Sequence, residues 1–299
     1  MGVSLYNIKK WCKMLAGKSI SHVNQGPGVC YSKTAVAGYY NDLTEKVLKD
    51  APDILVPQYQ VDTGEMIYFS IGVFQYGLAA YDLFLQTKEN CYKEKVLACA
   101  DWAVKNQDEN GGWKTFSYKS PQQPYSSMAQ GEAISLLIRA HILTKNEKYI
   151  TATERAKEFM LKPLSECGVA EYVGEDVYFY EWTVNPVVLN GWIFSLWGLY
   201  DYCKYTGDEE CRSILDKTLF SLRKSLPSYD TGFWSRYDDG KRICSPFYHK
   251  LHIAQLRVMY DLFGDEIYCE YADKWEGYQN RFWNPKRAFL TKVFQKVFE

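Results

Sequence analysis

Glu181 stands in the run Tyr178-Phe179-Tyr180-Glu181-Trp182, one carboxylate among aromatic side chains. Burial raises the pKa of such a group, and a carboxyl that titrates near neutrality can act as a general acid or base. An exposed hairpin glutamate flanked by core aromatics is the other reading of the same residues. A second cluster lies in SYDTGFWSRYDDGKRICSPFYHKLHIAQL, residues 228–256, where Tyr237 and Tyr248 flank Lys241 and Arg242, with Arg236 alongside. A tyrosine can donate a proton, or accept one where nearby cations lower its pKa. It can also meet sugar hydroxyls with its own while its ring supports a pyranose. His249 and His252 follow in H-x-x-H spacing, which puts both imidazoles on one face of a helix. No carboxylate or cysteine sits nearby at ligand spacing, so we expect them at a helix start, contacting substrate, with no metal site. Asp238 and Asp239 are adjacent and point apart, unlike the facing carboxylates of a glycosidase. There is no GxSxG, P-loop or GxGxxG, which removes support for acyl transfer, nucleotide hydrolysis and dinucleotide binding.

Rigid elements must hold these groups in place. Apolar residues recur at i, i+3, i+4 and i+7 over 66–88, 91–106, 127–145, 147–162, 188–205, 208–225, 247–263 and 266–281, which predicts helices there. Asp82, His141, Asp201 and Asp261 fall at equivalent points, 59, 60 and 60 residues apart. Each closes a nearly all-apolar helix, and a more charged helix follows. One apolar and one amphipathic helix per repeat imply an inner and an outer ring. The expected fold is all-α, an α/α toroid or incomplete α/α barrel with short β-hairpin connectors at one end. The connectors NQDENGGWKTF (106–116) and SYDTGFWSRY (228–237) each turn on Gly and then present a Trp, and VAEYVGEDVYFYEW (169–182) reads as a hairpin. Loops that lead to successive inner helices gather at one mouth, the default place for a site. Residues 1–60 are weakly periodic and are expected to form an arm packed on a barrel of residues 61–299.

Composition narrows the function. A formal net charge of −1 gives no whole-chain electrostatic case for nucleic acid or an anionic membrane, although local basic clusters stand outside that argument. The 25 Tyr, 15 Phe and 9 Trp exceed ordinary usage and suit sugar faces, though much of the set must be core. No apolar run is long enough to span a bilayer and the N-terminus, MGVSLYNIKKWCKMLAGKS, reads as no signal peptide. Nine cysteines without a CxxC pair are best read as free thiols in a reducing cytoplasm.

DWAVKNQDENGGW (101–113), YSSMAQGEAISLLIRA (125–140), VVLNGWIFSLWGLYD (187–201), LPSYDTGFWSRYD (226–238) and YHKLHIAQL (248–256) occur in the order and spacing of the D-glucuronyl 5-epimerases of heparan sulfate and heparosan, and QYGLAAY (75–81) is similar to an earlier element of that family. The chain resembles that family over roughly residues 65–275. The resemblance implies a helical, toroid-like catalytic domain that inverts carbon 5 of glucuronate units in a polysaccharide to iduronate. It implies no redox cofactor. By motif position Tyr248 and Tyr237 match catalytic tyrosines and Glu181 the catalytic glutamate, with Glu181 and Tyr248 as the opposed pair and Tyr237 assisting. Tyr180, Trp182, Arg236, Lys241, Arg242, His249, His252, Gln130, Asn190, Trp113 and Tyr125 become candidate substrate contacts. Two departures stand out. The family pattern Glu-Glu-Tyr-Pro is here Tyr180-Glu181-Trp182, and Gly240 occupies the offset of a family arginine, leaving Lys241 or Arg242 to substitute.

The reading is thus a cytoplasmic uronyl 5-epimerase of bacterial type, acting on a glucuronate-containing polysaccharide, with a homodimer as the candidate assembly. A uronate lyase or hydrolase on an α/α toroid, or a non-catalytic carbohydrate-binding barrel, are the alternatives.

Overall fold

Among the described residues, three helices bury nearly every side chain along their first four turns, while the helices that follow them bury only a stripe. In the computed structural model, which describes residues 23–61 and 63–298, a one-turn helix α1 (Glu45–Leu48) comes first, and the first kind are α2 (Ser70–Thr87), α4 (Ser127–Thr144) and α6 (Leu189–Thr206). The second kind are α3 (Asn90–Lys105), α5 (Glu147–Met160) and α7 (Glu209–Ser225). In α7 the buried residues are Cys211, Leu215, Thr218, Ser221 and Leu222, one side of a helix. A fourth pair, α8 (Pro246–Phe263) and α9 (Glu266–Gln279), completes the series. The apolar helices pack on one another in the order α2, α4, α6, α8, each backed by its own amphipathic partner. This is the expected toroid, all-α among the described residues apart from two small antiparallel hairpins.

The same two-residue link joins inner to outer helix in all four repeats. Lys88, Lys145, Gly207 and Gly264 adopt left-handed φ values of 63°, 57°, 73° and 71°, which ends each inner helix. Asn146, Asp208 and Asp265 then cap the next helix through side-chain oxygens. Tight links at one end leave the long connectors, 106–126, 161–188 and 226–245, at the other. The hairpin of the second connector is β3 (Ala170–Val173) with β4 (Asp176–Phe179).

Two elements differ from the sequence-based expectation. Residues 66–67 are not helical: β2 (Met66–Ile67) pairs with β1 (Tyr59–Gln60), because Gly64 at φ 90° turns the chain and the N–H of Val61 donates to Glu65 O. An additional helix, α10 (Asn284–Phe298), follows α9; its Lys292 Nζ and Gln295 Nε2 donate to the carbonyls of Ile243 and Lys241, and Gln295 Oε1 accepts from Ile243 N.

The repeated aspartates have a structural use. Asp82 accepts from the backbone N–H of Tyr39 at 2.8 Å, Asp201 from Tyr40 Oη at 2.5 Å, and Asp261 from Tyr31 Oη at 2.8 Å. Residues 31–40 therefore cross the tight-link end and tie the first inner helix to the last. Asp201 is fully buried with Arg139, its ion-pair partner at 2.6 Å, and Arg139 also donates to the carbonyls of Ala37 and Gly38. At the fourth equivalent position His141 meets Tyr205 Oη instead. No helix among the described residues is long and apolar enough to cross a membrane, and the eight described cysteines are free.

Candidate active site

The long connectors enclose a cavity of about 360 Å³ at their end of the toroid. Its position follows from three local constraints. The backbone N–H of Ser127, at the start of α4, donates to Tyr180 O and fixes the exit of the β3–β4 hairpin, which delivers Glu181. Residues 236–243 double back on themselves, with Tyr237 N donating to Arg242 O, and Tyr237 O accepts from Leu189 N at the start of α6. Ser245 caps α8 by accepting from Tyr248 N, so Tyr248 lies in the first turn of that helix.

Glu181, Tyr237 and Tyr248 all line this cavity, with Arg242, Asn190 and Trp182. The Glu181 side chain lies against the first turn of α6, at a place only glycine allows: a Cβ at Gly191 would come 2.5 Å from Glu181 Oε2. That oxygen is closed off from solvent and accepts no hydrogen bond. Burial pushes the carboxyl up to about 7, against the pull of the nearby Arg242 guanidinium. Tyr237 and Tyr248 meet edge to face with ring centroids 4.9 Å apart. Burial, then Glu181 and Tyr248, push the Tyr237 phenol well above its ordinary value, with Arg242 opposing. Tyr237 therefore stays protonated, a hydrogen-bond donor near neutrality.

Arg242 is held by its Nε, which donates to the buried carboxylate of Asp238. Its Nη2 is shut off from solvent without a hydrogen-bond partner, an arrangement that suits an incoming carboxylate. Gly240, at the offset of the family arginine, cannot carry a side chain here, since its Cβ would fall 2.5 Å from Pro186 Cγ. The guanidinium that does line the cavity stands two residues on, at Arg242. Lys241 is exposed at φ 83° and outside the cavity.

The remaining residues singled out in the sequence divide by what their polar atoms meet. Trp182 packs tilted against Phe116, ring centroids 5.1 Å apart, with Lys119 Nζ 5.0 Å over its ring. Tyr180 Oη turns back along the hairpin to Glu171 at 2.6 Å. Arg236 donates to Ser228 O. Gln130 Nε2 donates to Ser126 O and Trp113 Nε1 to Ala103 O, both within the core. Tyr125 Oη donates to Asp108 at 2.8 Å. His249 and His252 are fully buried around the Ser235 hydroxyl, with Nδ1 atoms at 2.8 and 3.1 Å, and His249 Nε2 donates to Trp275 O. His249 also stacks on Trp234 with centroids 3.6 Å apart. Burial lowers the two imidazoles to about 4 and about 3, so the H-x-x-H pair is a neutral clasp between α8, α9 and the 229–237 loop. Of these remaining candidates only Trp182 lines the cavity, and Tyr180, Arg236, Gln130, Trp113, Tyr125, His249 and His252 do not. No group of three His, Cys, Asp or Glu is arranged to hold a metal among the described residues.

The cavity also contains groups the motifs did not point to. Gln75 lines it and donates to the buried Glu132 at 2.7 Å. Lys46, also in the lining, is lowered by burial to about 8, while Glu132 pulls it upward. Gln75 and Glu132 each stand sixth in an inner helix, and Phe194 and Leu251 at the same point of α6 and α8 line the cavity too. A polar residue at that lumen-facing position in an otherwise apolar helix is the signal that could have found Gln75 and Glu132.

The model of the D-glucuronyl C5-epimerase C-terminus matches residues 107–277, more than half of the chain. The chain belongs to the D-glucuronyl C5-epimerase family. It is 31% identical over 245 residues to the D-glucuronyl C5-epimerase of Caenorhabditis elegans, covering 72% of this chain and 39% of that protein. An uncharacterized protein of Methanocaldococcus jannaschii is 29% identical over 155 residues, half of each chain. The chain thus spans half or less of the length of these curated relatives. The family match encloses Glu181, Tyr237, Arg242 and Tyr248, and leaves Lys46 and Gln75 outside.

Proposed function

We propose that the protein is a uronyl 5-epimerase that inverts carbon 5 of D-glucuronate units in a heparosan- or heparan-like polysaccharide, giving L-iduronate. The observation that carries this reading is one cavity lined by a carboxyl near pKa 7, two phenols and a guanidinium with an unpartnered Nη2. The C5 proton is weakly acidic, so its removal requires stabilisation of the charge that moves into the carboxylate. Arg242 holds that carboxylate. The Glu181 carboxylate takes the proton from C5, and the electron pair delocalises to an enediolate. Tyr237, kept neutral, donates a hydrogen bond to it. Tyr248 returns a proton to C5 from the opposite face, and solvent exchange restores both groups. The steps are redox-neutral and call for no cofactor.

Residues 23–60 serve as an arm, the first 22 residues of the expected 1–60 arm lying outside the described residues, and residues from 61 onward serve as the catalytic domain, in a cytoplasmic enzyme of bacterial type that works as a homodimer. The free cysteines support a reducing compartment.

The test is product analysis after incubation with heparosan in deuterated water. Iduronate signals with deuterium at C5 are expected. An unsaturated uronate chromophore would reassign the protein as a lyase, new reducing ends as a hydrolase, and unchanged polymer across several uronate glycans would remove the catalytic reading.

A further inference from the structure

Helix α10 and the turn before it combine exposed apolar side chains with cations and have no acidic residue. Phe282, Trp283 and Leu290 are 69%, 72% and 67% exposed, and Phe289 is exposed beside them. From Gly277 to Phe298 the sequence has Arg281, Lys286, Arg287, Lys292 and Lys296 and no Asp or Glu, in a chain whose formal net charge is −1. The cations interleave with the rings: Lys286 Nζ lies 3.6 Å over the Phe282 ring and 5.0 Å over Trp283, and Arg287 stacks at 3.8 Å on Phe233. The inward side of α10 is small and polar, with buried Ala288 and the bonds from Lys292 and Gln295 to residues 241–243. The large apolar groups are thus turned to solvent, the reverse of the arrangement in the outer helices α3, α5 and α7.

We infer that this face of α10 docks the protein on an anionic lipid surface, with the helix lying in the interface. An exposed strip of Phe, Trp and Leu among Lys and Arg can insert its apolar groups at the boundary of headgroups and acyl chains while the cations meet the headgroups. Fifteen residues, about 22 Å of helix, are too short to span the bilayer and long enough to lie on it. A second copy of the chain fits less well. A two-fold contact through this strip sets Lys286 and Arg287 near their own counterparts, with no carboxylate in the segment to offset them. An anionic bilayer satisfies both the apolar and the charged parts.

The experiment is co-sedimentation of the full chain with vesicles of phosphatidylcholine alone or mixed with phosphatidylglycerol, together with sedimentation velocity without lipid. Binding is expected to be at least about tenfold tighter to the anionic vesicles and to weaken as salt rises. Trp283→Ser with Leu290→Ser should lose that binding by at least about tenfold while keeping the wild-type melting profile. Lys286→Gln should weaken binding to anionic vesicles and leave the weak binding to phosphatidylcholine unchanged. Equal binding to both vesicle types, or none, overturns the inference. A wild-type dimer that the double variant converts to a monomer overturns it in favour of a contact between copies.

Discussion

A Cβ at Gly191 would stand 2.5 Å from Glu181 Oε2, so the carboxyl at the centre of the cavity is seated against bare backbone of α6. Glycine here provides room, because Gly191 is helical and within its first turn. Gly191→Ala should displace the Glu181 carboxyl and lower kcat by at least about a hundredfold, since misplacement of a reacting group by about 1 Å costs that much. The clash extends to Glu181 Cβ at 2.6 Å, so the hairpin must shift and the melting temperature should fall modestly despite the helix propensity of Ala. Unchanged kcat in that variant would separate Glu181 from the chemistry.

Arg242 and Lys241 are neighbours in sequence with different surroundings. Arg242→Gln removes the cavity guanidinium and leaves Asp238 buried beside a neutral amide, so kcat/KM should fall by roughly a hundredfold or more. Lys241→Ala should stay within about twofold, because Lys241 is exposed and its φ of 83° is a backbone feature. Steady-state kinetics of the pair on one glycan substrate checks this; a larger loss from Lys241→Ala would put the carboxylate contact on the wrong residue.

Glu181 links activity to stability. Its folded pKa of about 7 lies above the ordinary 4.5 because the ionised form is buried. The folded state therefore binds more protons than the unfolded chain between those values, and stability falls as pH rises from about 4.5 through about 7. The full effect at higher pH is about 3 kcal/mol. Glu181→Gln should raise the melting temperature at pH 8, have little effect at pH 5, and abolish turnover. In the wild type, kcat/KM should rise with pH through about 7. Melting curves at the two pH values check the first part, and a stabilisation at pH 5 equal to that at pH 8 would show that the carboxyl is not desolvated.

Asp201 and Arg139 form a fully buried ion pair that also anchors Tyr40. Asp201→Asn leaves the guanidinium buried without its counter-charge and should cost about 3–5 kcal/mol, measured by denaturant unfolding. Arg139→Met with Asp201→Leu, which removes both charges, should recover part of that loss. If the single variant costs under about 1 kcal/mol, the aspartate repeat does not hold residues 31–40 in place.

The toroid was legible because its repeats announce themselves twice, as helical periodicity and as Asp82, His141, Asp201 and Asp261 at near-constant spacing. Glu181, Tyr237 and Tyr248 were also legible, since aromatic-rich connectors stand out between apolar helices, and all three reach one cavity. The histidines misled for a physical reason. H-x-x-H spacing fixes a helical face but not what that face meets, and here it meets Ser235, Trp234 and Trp275 in the core. Lys46 and Glu132 stayed hidden because they influence each other's charge across a long stretch of sequence: one sits in the weakly periodic N-terminal segment and the other inside an inner helix. Helix α10 was missed because its exposed apolar face does not follow the amphipathic rule that located the other outer helices.

The most direct test of the account is exchange of the C5 proton of polymeric glucuronate with solvent, followed by NMR in deuterated water for the wild type, Tyr248→Phe and Glu181→Gln. The wild type should incorporate deuterium at C5 in both glucuronate and newly formed iduronate. Glu181→Gln should incorporate none, and Tyr248→Phe should yield no deuterated iduronate while retaining wild-type melting. Wild-type levels of C5 exchange in Glu181→Gln, wild-type levels of deuterated iduronate from Tyr248→Phe, or no exchange in the wild type with any uronate polymer, would contradict it.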